Sequence, residues 1–411
     1  MALFRLRLDK GNDMVRIALL TFLVLISVAC SKSNPDSKIS EIVVGEFSSL
    51  TGPQSSFGKS AHNGIKLAIE EINESGGVNG IPIKLVSIDT KGLAENSAQA
   101  VETLAKKNKA LALIGEVASH RSLVAAQVAQ QMSIPMITPT ATAVSITNVG
   151  DYIFRACYID PFQAKVMAKF ALENLKVKKA AVLRDVKSEY SKGLAENFIE
   201  AFERGGGKVV AEDQFSSGDI GFTDQINHIR ASKPDAIYIP GYYSEAGKIA
   251  RQLRKMGVQA TLLGSDGWDS EKLFKIGTVS VNGSYFTNHF SVQNTEEKSA
   301  EFVRKFREKY KSTPDGLAAM GYDTALLLAA ALKKSSALDH KSIKEALAAT
   351  DNFLGVTGKI QLDENRNAIK PIVIVKVDGP VNRFVTSMNP SDVPSAPLKE
   401  MTSASETPSL Q

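Results

Sequence analysis

From Glu41 onward the chain alternates short apolar runs with amphipathic stretches, and this alternation constrains its fold more than any other feature. "EIVVGEF" and "IKLVSID" read as strands; "SAHNGIKLAIEEINESGG" and "ENSAQAVETLAKKN", which follow them, carry apolar residues at helical spacing. Strands alternating with helices of this length pair in parallel and are covered on both faces, so an α/β fold is expected. The pattern resumes after Pro161 with the helix "FQAKVMAKFALENL", the strand "KAAVLRD", the helix "SKGLAENFIEAFERGG" and the strand "KVVAEDQF". "EKSAEFVRKFREKYK" and "TALLLAAALKK" are later helices, and "GKIQLD" and "PIVIVKVDG" late strands.

Two segments share one plan. "ALALIGEVASHRSLVAAQVAQQMSIPMITPTAT" and "DAIYIPGYYSEAGKIARQLRKMGVQATLLGSDGW" each run strand, polar loop, helix, strand, polar loop. This approximate repeat puts "GEVAS", "TPTAT", "GYYS" and "SDGW" in equivalent positions, at the carboxyl ends of parallel strands, where open α/β sheets bind ligands. Small hydroxyl-bearing residues in "TPTAT" would let a ligand approach the backbone.

At 411 residues the chain has length for two domains. A net charge of +5, part of it in a basic leader, is too small a footprint for nucleic-acid binding. Of the two cysteines, Cys157 lies among apolar neighbours in "IFRACYID" and reads as a buried thiol. Cys30 closes "MVRIALLTFLVLISVAC", an apolar run short for a membrane span that ends in small residues. This is a lipoprotein signal pattern, with Ser27 standing where leucine is usual, and Met14 is an alternative start. On that reading residues 1–29 are the signal peptide, Cys30 the lipidated first residue, and 30–38 a tether; an ordinary secretory signal or an uncleaved anchor is the plainer alternative, and 389–411, rich in Ser, Pro and Thr, reads as a disordered tail.

Catalytic patterns are not found. His62, His120, His228, His289 and His340 form no zinc spacing, and no cysteine joins them. "GGVNG" and "RGGG" read as turns, since no phosphate-loop pattern follows a strand into a helix, and no G-x-S-x-G elbow is present. Polar strand-end loops without a nucleophile, base or metal set point to a binder, with no cofactor and no enzymatic activity expected.

From about Ile39 to Val385 the sequence resembles the type I periplasmic solute-binding proteins, specifically the leucine/isoleucine/valine-binding branch serving ABC transporters. The resemblance is carried by "SLTGPQSSFGKSAHNGIKLAIEEINESGGVNG", "LIGEVAS", "IPMITPTAT", "DVKSEYSKGLAENF", "GYYSEAGKIARQLRKMG" and "LLGSDGW", in that order. It implies two Rossmann-like lobes joined by a three-segment hinge and closing on a ligand. The first would hold 39–158 and 285–350, the second 159–284 and 351–388. The implied partners are a small amino acid, the permease subunits of the transporter, and the membrane through the lipid anchor. By position, Ser119 and Thr142 lie where the family binds the ligand's α-carboxylate, and Ala118 belongs to the same ligand-binding set. Thr140 lies where a carbonyl meets the ammonium and Asp266 where an acidic residue faces it. Tyr190, Tyr242 and Phe57 lie where aromatic side chains cover the ligand.

Each residue also has a plainer reading. Ser119 and Asp266 suit helix N-caps, Thr142 a loop hydroxyl, Tyr190 and Tyr242 half-exposed aromatics, and Trp268 the core. His120 and Arg121 are bulky where the leucine-binding proteins have small residues; they suit an outward helix face, or Arg121 a second ligand carboxylate. Asp266 is one carbon shorter than the glutamate common in that branch, and Gly92 and Ala118 stand near the places of a cysteine pair found in some relatives.

Overall fold

Five parallel strands build the first sheet of the computed structural model: β1 (Ile42–Ser48), β2 (Ile83–Asp89), β3 (Ala112–Gly115), β4 (Met136–Thr138) and β5 (Ile153–Arg155), in the spatial order β2-β1-β3-β4-β5. The inner strands are buried on both faces, as parallel strands require, while the edge strand β2 is mostly half-buried. Helices α1 (Ser55–Glu74), α2 (Ala94–Lys106) and α3 (Ser119–Gln131) supply the crossovers. The structure describes residues 39–393, so the signal peptide, Cys30, the tether and the tail beyond 393 lie outside the described residues.

The second sheet repeats this order. β6 (Lys179–Asp185), β7 (Lys208–Phe215), β8 (Ala236–Tyr238), β9 (Thr261–Gly264) and β10 (Tyr285–Asn288) run β7-β6-β8-β9-β10, all parallel. Helices α4 (Asp160–Glu173), α5 (Glu189–Arg204), α6 (Thr223–Ser232) and α7 (Tyr243–Lys255) flank it, followed by the short α8 (Glu271–Gly277). The two segments matched in the sequence are β3-α3-β4 and β8-α7-β9, equivalent pieces of two sheets of one topology.

This repeat moves two expected boundaries. Residue 285, where a return to the first lobe was expected, begins β10, which pairs with β9 as β5 pairs with β4. The segment from 351, expected in the second lobe, first forms a small antiparallel sheet of β11 (Phe353–Gly355), β12 (Gly358–Leu362) and β13 (Ala368–Ile369). Its Ile360, Leu362 and Ala368 pack in one core with Ile42, Val44 and Ile114 of the first sheet. The chain then enters β14 (Ile372–Asp378) and β15 (Val381–Met388), antiparallel strands that extend the second sheet. Asn389–Val393, at the start of the expected tail, holds a 3-10 turn at Pro390–Asp392, where Asn389 N–H donates to Asp392 Oδ2 (2.7 Å).

Helices α9 (Glu297–Tyr310), α10 (Gly316–Lys334) and α11 (His340–Ala348) return to the first lobe, where Phe302, Phe306 and Met320 join the core around Ile65 and Ala68. Buried for most of its length, α10 crosses α1 at glycines. A Cβ on Gly64 would overlap the Ala318 carbonyl, and one on Gly321 the Ala61 carbonyl. Gly64→Ala gains about 1 kcal/mol of helix propensity but forces two backbones apart at a cost of about 3 kcal/mol. A net loss of about 2 kcal/mol is expected in urea unfolding.

Candidate functional site

At the end of β3 the Glu116 carboxylate is fully buried and heavily bonded. Its Oε1 accepts from Ser49 Oγ (2.8 Å) and Thr90 Oγ1 (3.0 Å), and its Oε2 from Val117 N–H (2.9 Å) and Ala118 N–H (3.1 Å). Arg121 folds back from α3 onto the same carboxylate (Nε to Oε2, 2.9 Å) and donates to Gln54 Oε1 (2.9 Å). Arg121 is therefore buried and committed within its own lobe, facing neither outward nor into the pocket. His120 beside it is exposed.

The "TPTAT" hydroxyls divide their work. Thr138 Oγ1 donates to the Glu116 carbonyl (2.6 Å) and Thr140 Oγ1 to the Val117 carbonyl (2.9 Å), so both tie their loop to the start of α3. Arg155 lies beneath the loop, wholly buried; its Nη1 donates to the Ala141 carbonyl (2.9 Å) and its Nη2 to that of Ala143 (2.7 Å). Thr142 Oγ1 is left facing Asp160 without an aligned hydrogen bond. Ser119 is the first residue of α3 and not its cap; its Oγ accepts from Ala143 N–H (3.3 Å). The first-turn N–H groups of α3 are donors that a helix leaves without intrahelical partners. Together with Thr142 they make an anion-favouring corner.

Opposite stands the end of β9. Asp266 opens a 3-10 turn whose Trp268 is fully buried, its Nε1–H donating to the Ile239 carbonyl (3.1 Å). The Asp266 carboxylate does not cap this turn. Tyr190 OH donates to its Oδ1 (2.5 Å), and His289 Nε2 lies 3.3 Å from its Oδ2. Gly267 N–H donates to Tyr190 OH (2.9 Å), and a Cβ on Gly267 would strike that hydroxyl and the Gly241 carbonyl. Gln163, from α4, fixes the turn by accepting Asp266 N–H (2.8 Å) at Oε1.

Aromatic rings close the sides. Tyr190 and Tyr242 stack at 5.2 Å, and Phe57, at the start of α1, meets Tyr242 edge-on at 6.0 Å and Tyr243 at 5.0 Å across the cleft. Tyr190 is buried and Tyr242 nearly so. Burial, reinforced by Asp266, pushes the Tyr190 hydroxyl well above its ordinary range, so it stays a neutral donor. Burial likewise raises the Asp160 carboxyl well above the usual carboxylate range. Cys157 is buried, as its apolar neighbours suggested, and its thiol is pushed up to about 12.

Phe57, Ser119, Thr140, Thr142, Tyr190, Tyr242 and Asp266 thus line one pocket, with Val117, Gly267, His289 and Leu317. Ala118 is not among the lining residues; its N–H is held by Glu116. His289 and Leu317 were not singled out in the sequence. The cavity left between these side chains is about 20 Å³, room for about one water, so the lobes are closed and an amino acid fits only once they part and the lining side chains make way. Closure is bridged by Ser56 Oγ and Ser270 Oγ (3.0 Å), and by Gly316 N–H donating to Asp269 Oδ2 (2.6 Å). Burial, with Asp315 nearby, raises Asp269 to about 7. A more open groove of about 650 Å³ runs beside the pocket past Lys59, Glu271 and Arg307; its mixed charges converge on no single group. An anion-favouring corner on one lobe and a carboxylate on the other, between aromatic walls, suits a zwitterion with an apolar substituent.

Residues 41–381 match the family model of the periplasmic binding proteins. The chain belongs to that family. This binding protein is 31% identical over 326 residues to the Leu/Ile/Val-binding protein BraC3 of Rhizobium johnstonii, covering 79% of the chain and 88% of the relative. Its fold matches that of the leucine-binding protein LivK of Thermotoga maritima with a TM-score of 0.82 at 37% identity, over 85% of the chain and 99% of the other. The branched-chain amino acid transporter substrate-binding protein LivJ of Streptococcus pneumoniae, solved in complex with isoleucine, gives 0.79 at 31% identity, over 84% and 99%. The expected two-lobed α/β fold and family of this binding protein are both met.

Proposed function

We propose that this binding protein captures a branched aliphatic α-amino acid in its interlobe cleft and delivers it to the permease of an ABC importer. One observation carries the reading: Asp266 of the second lobe and the Ser119–Thr142 corner of the first face each other across a single aromatic-walled pocket. The ammonium goes to Asp266 and the Thr140 carbonyl, the carboxylate to Ser119, Thr142 and the start of α3, and the side chain to Phe57, Tyr190, Tyr242 and Leu317. Relatives named as Leu/Ile/Val-binding proteins support the ligand class. The lobes, 39–158 with 289–369 and 159–288 with 370–388, open to admit the ligand and close on it. The closed population rises by the difference in ligand affinity between the two states. The ligand is released unchanged.

The protein works outside the cytoplasm, tethered by a lipid on Cys30. Labelled fatty acid should enter the wild type and not Cys30→Ser; equal labelling would remove the anchor. The ligand is tested by thermal shift on the domain from Ser31, stripped by unfolding and refolding. Leucine, isoleucine or valine at a hundredfold excess over Kd should stabilise it by about 2.7 kcal/mol. A shift confined to carboxylates without an amino group would overturn the assignment.

A further inference from the structure

Among the described residues, His289 is the histidine that lines the pocket, at the end of β10 and 2% exposed. Its ring stacks on Tyr158 at a centroid distance of 4.1 Å, which fixes its orientation. Nε2 lies 3.3 Å from Asp266 Oδ2, while the buried Nδ1 has no partner. Tyr190 already holds the other carboxylate oxygen, so the group assigned to the ligand's ammonium is gripped by Tyr190 of its own lobe and by His289 just past the second crossing.

We propose that His289 is a positioning residue for the ligand's ammonium: neutral, it steers the Asp266 carboxylate and leaves its charge to the ligand; protonated, it takes that charge itself. This rests on the amino-acid reading above.

The surroundings fix the direction. Burial lowers the His289 pKa below the ordinary 6.5, Asp266 raises it through hydrogen bond and charge, and Lys370, beside the third crossing, lowers it. Of the other titratable groups around Asp266, Tyr158, Asp160, Tyr190, Tyr238 and Tyr242 are held neutral by burial, while Asp269, raised to about 7, titrates in the same range and is common to the wild type and any His289 variant. Cys157, next to Tyr158, is pushed up to about 12 and is neutral too. In the closed form the imidazole is therefore neutral. Opening the cleft returns water to the ring and lets the proton on, so the ligand must expel that proton in order to bind. The His289 contribution to affinity is then flat above pH 6.5 and falls below it, by at most about tenfold per unit.

Leucine titrations by calorimetry from pH 8 to 5.5 test this. The wild type should weaken by about threefold or more below pH 6.5 and release a proton fraction that buffers of different ionisation enthalpy detect. His289→Gln can present its amide N–H to the same oxygen but cannot titrate. Whatever its affinity at pH 8, that affinity should keep only the change due to Asp269 and fall at least about threefold less than the wild type's over the range. A flat wild-type profile, or an equal decline in both proteins, overturns the proposal. A ligand-free measurement separates the two readings. In histidine-labelled protein, Asp266→Asn should lower the His289 NMR titration midpoint, and an unchanged midpoint rules out the pairing. Absence of leucine binding at every pH would instead sink the amino-acid reading, with the pairing decided by NMR.

Discussion

Asp266→Ala is expected to abolish measurable binding of an α-amino acid. Removing one partner of a buried, hydrogen-bonded charge pair costs 2–5 kcal/mol or more, and about 3 kcal/mol is a loss of more than a hundredfold. The loss should be specific to the ammonium end. Asp266→Asn, which keeps the shape and the Tyr190 contact, should bind almost as poorly, because a neutral amide leaves the buried cation without a counter-charge. Calorimetry with leucine checks both variants, and circular dichroism checks that they remain folded. Unchanged affinity in Asp266→Ala would mean that the ligand lies the other way round.

The largest effect on stability is expected at Arg155. Its guanidinium is the donor for the carbonyls of Ala141 and Ala143, and its Nη2 also reaches Thr147 Oγ1 (3.2 Å). Arg155→Leu leaves the Ala141 carbonyl only the Cys157 thiol (3.4 Å) and the Ala143 carbonyl only Ile146 N–H (3.3 Å), a loss of about 1.5–3 kcal/mol for each charged hydrogen bond removed. Relief from burying a charge offsets part of this, and a net loss of about 3 kcal/mol should appear in the urea midpoint. Lysine should not rescue it, since a single ammonium cannot span what a planar fork spans. The loop that presents Thr142 would loosen with it, so leucine affinity should fall although Arg155 does not line the pocket. A variant with the wild-type midpoint would show that the loop holds its shape through Thr138 and Thr140 alone.

The paired sheets were legible because β1 is a near-continuous apolar run bounded by polar residues, as a strand covered on both faces is, and α1 keeps a period of 3.6 residues. The boundary at 285 was misread for a physical reason. β10 is four residues long and carries no alternation, and its membership is decided by pairing with β9, which lies far off in sequence. His289 carries no such signal either: without a spacing partner, one histidine gives no local sign that it will meet Asp266, 23 residues earlier. Arg121 was read from helical geometry, which points it outward; Glu116 overrides that by holding the start of α3 with a carboxylate that needs a cation. By contrast, the placing of Thr142 and Asp266 on one pocket was legible because strand-end loops are fixed by topology, not by packing detail.

The matching order of the two sheets has an evolutionary reach. Because β4 and β9 end in equivalent loops, the halves present to the cleft a hydroxyl corner and a carboxylate on frameworks of one topology. In the proposed ligand orientation each end of the ligand is recognised by a separate module, so either module can drift while the other still grips. A change at the Asp266 loop alone would retune the protein to ligands with a different head group, with the carboxylate corner as the fixed point around which new specificities arise.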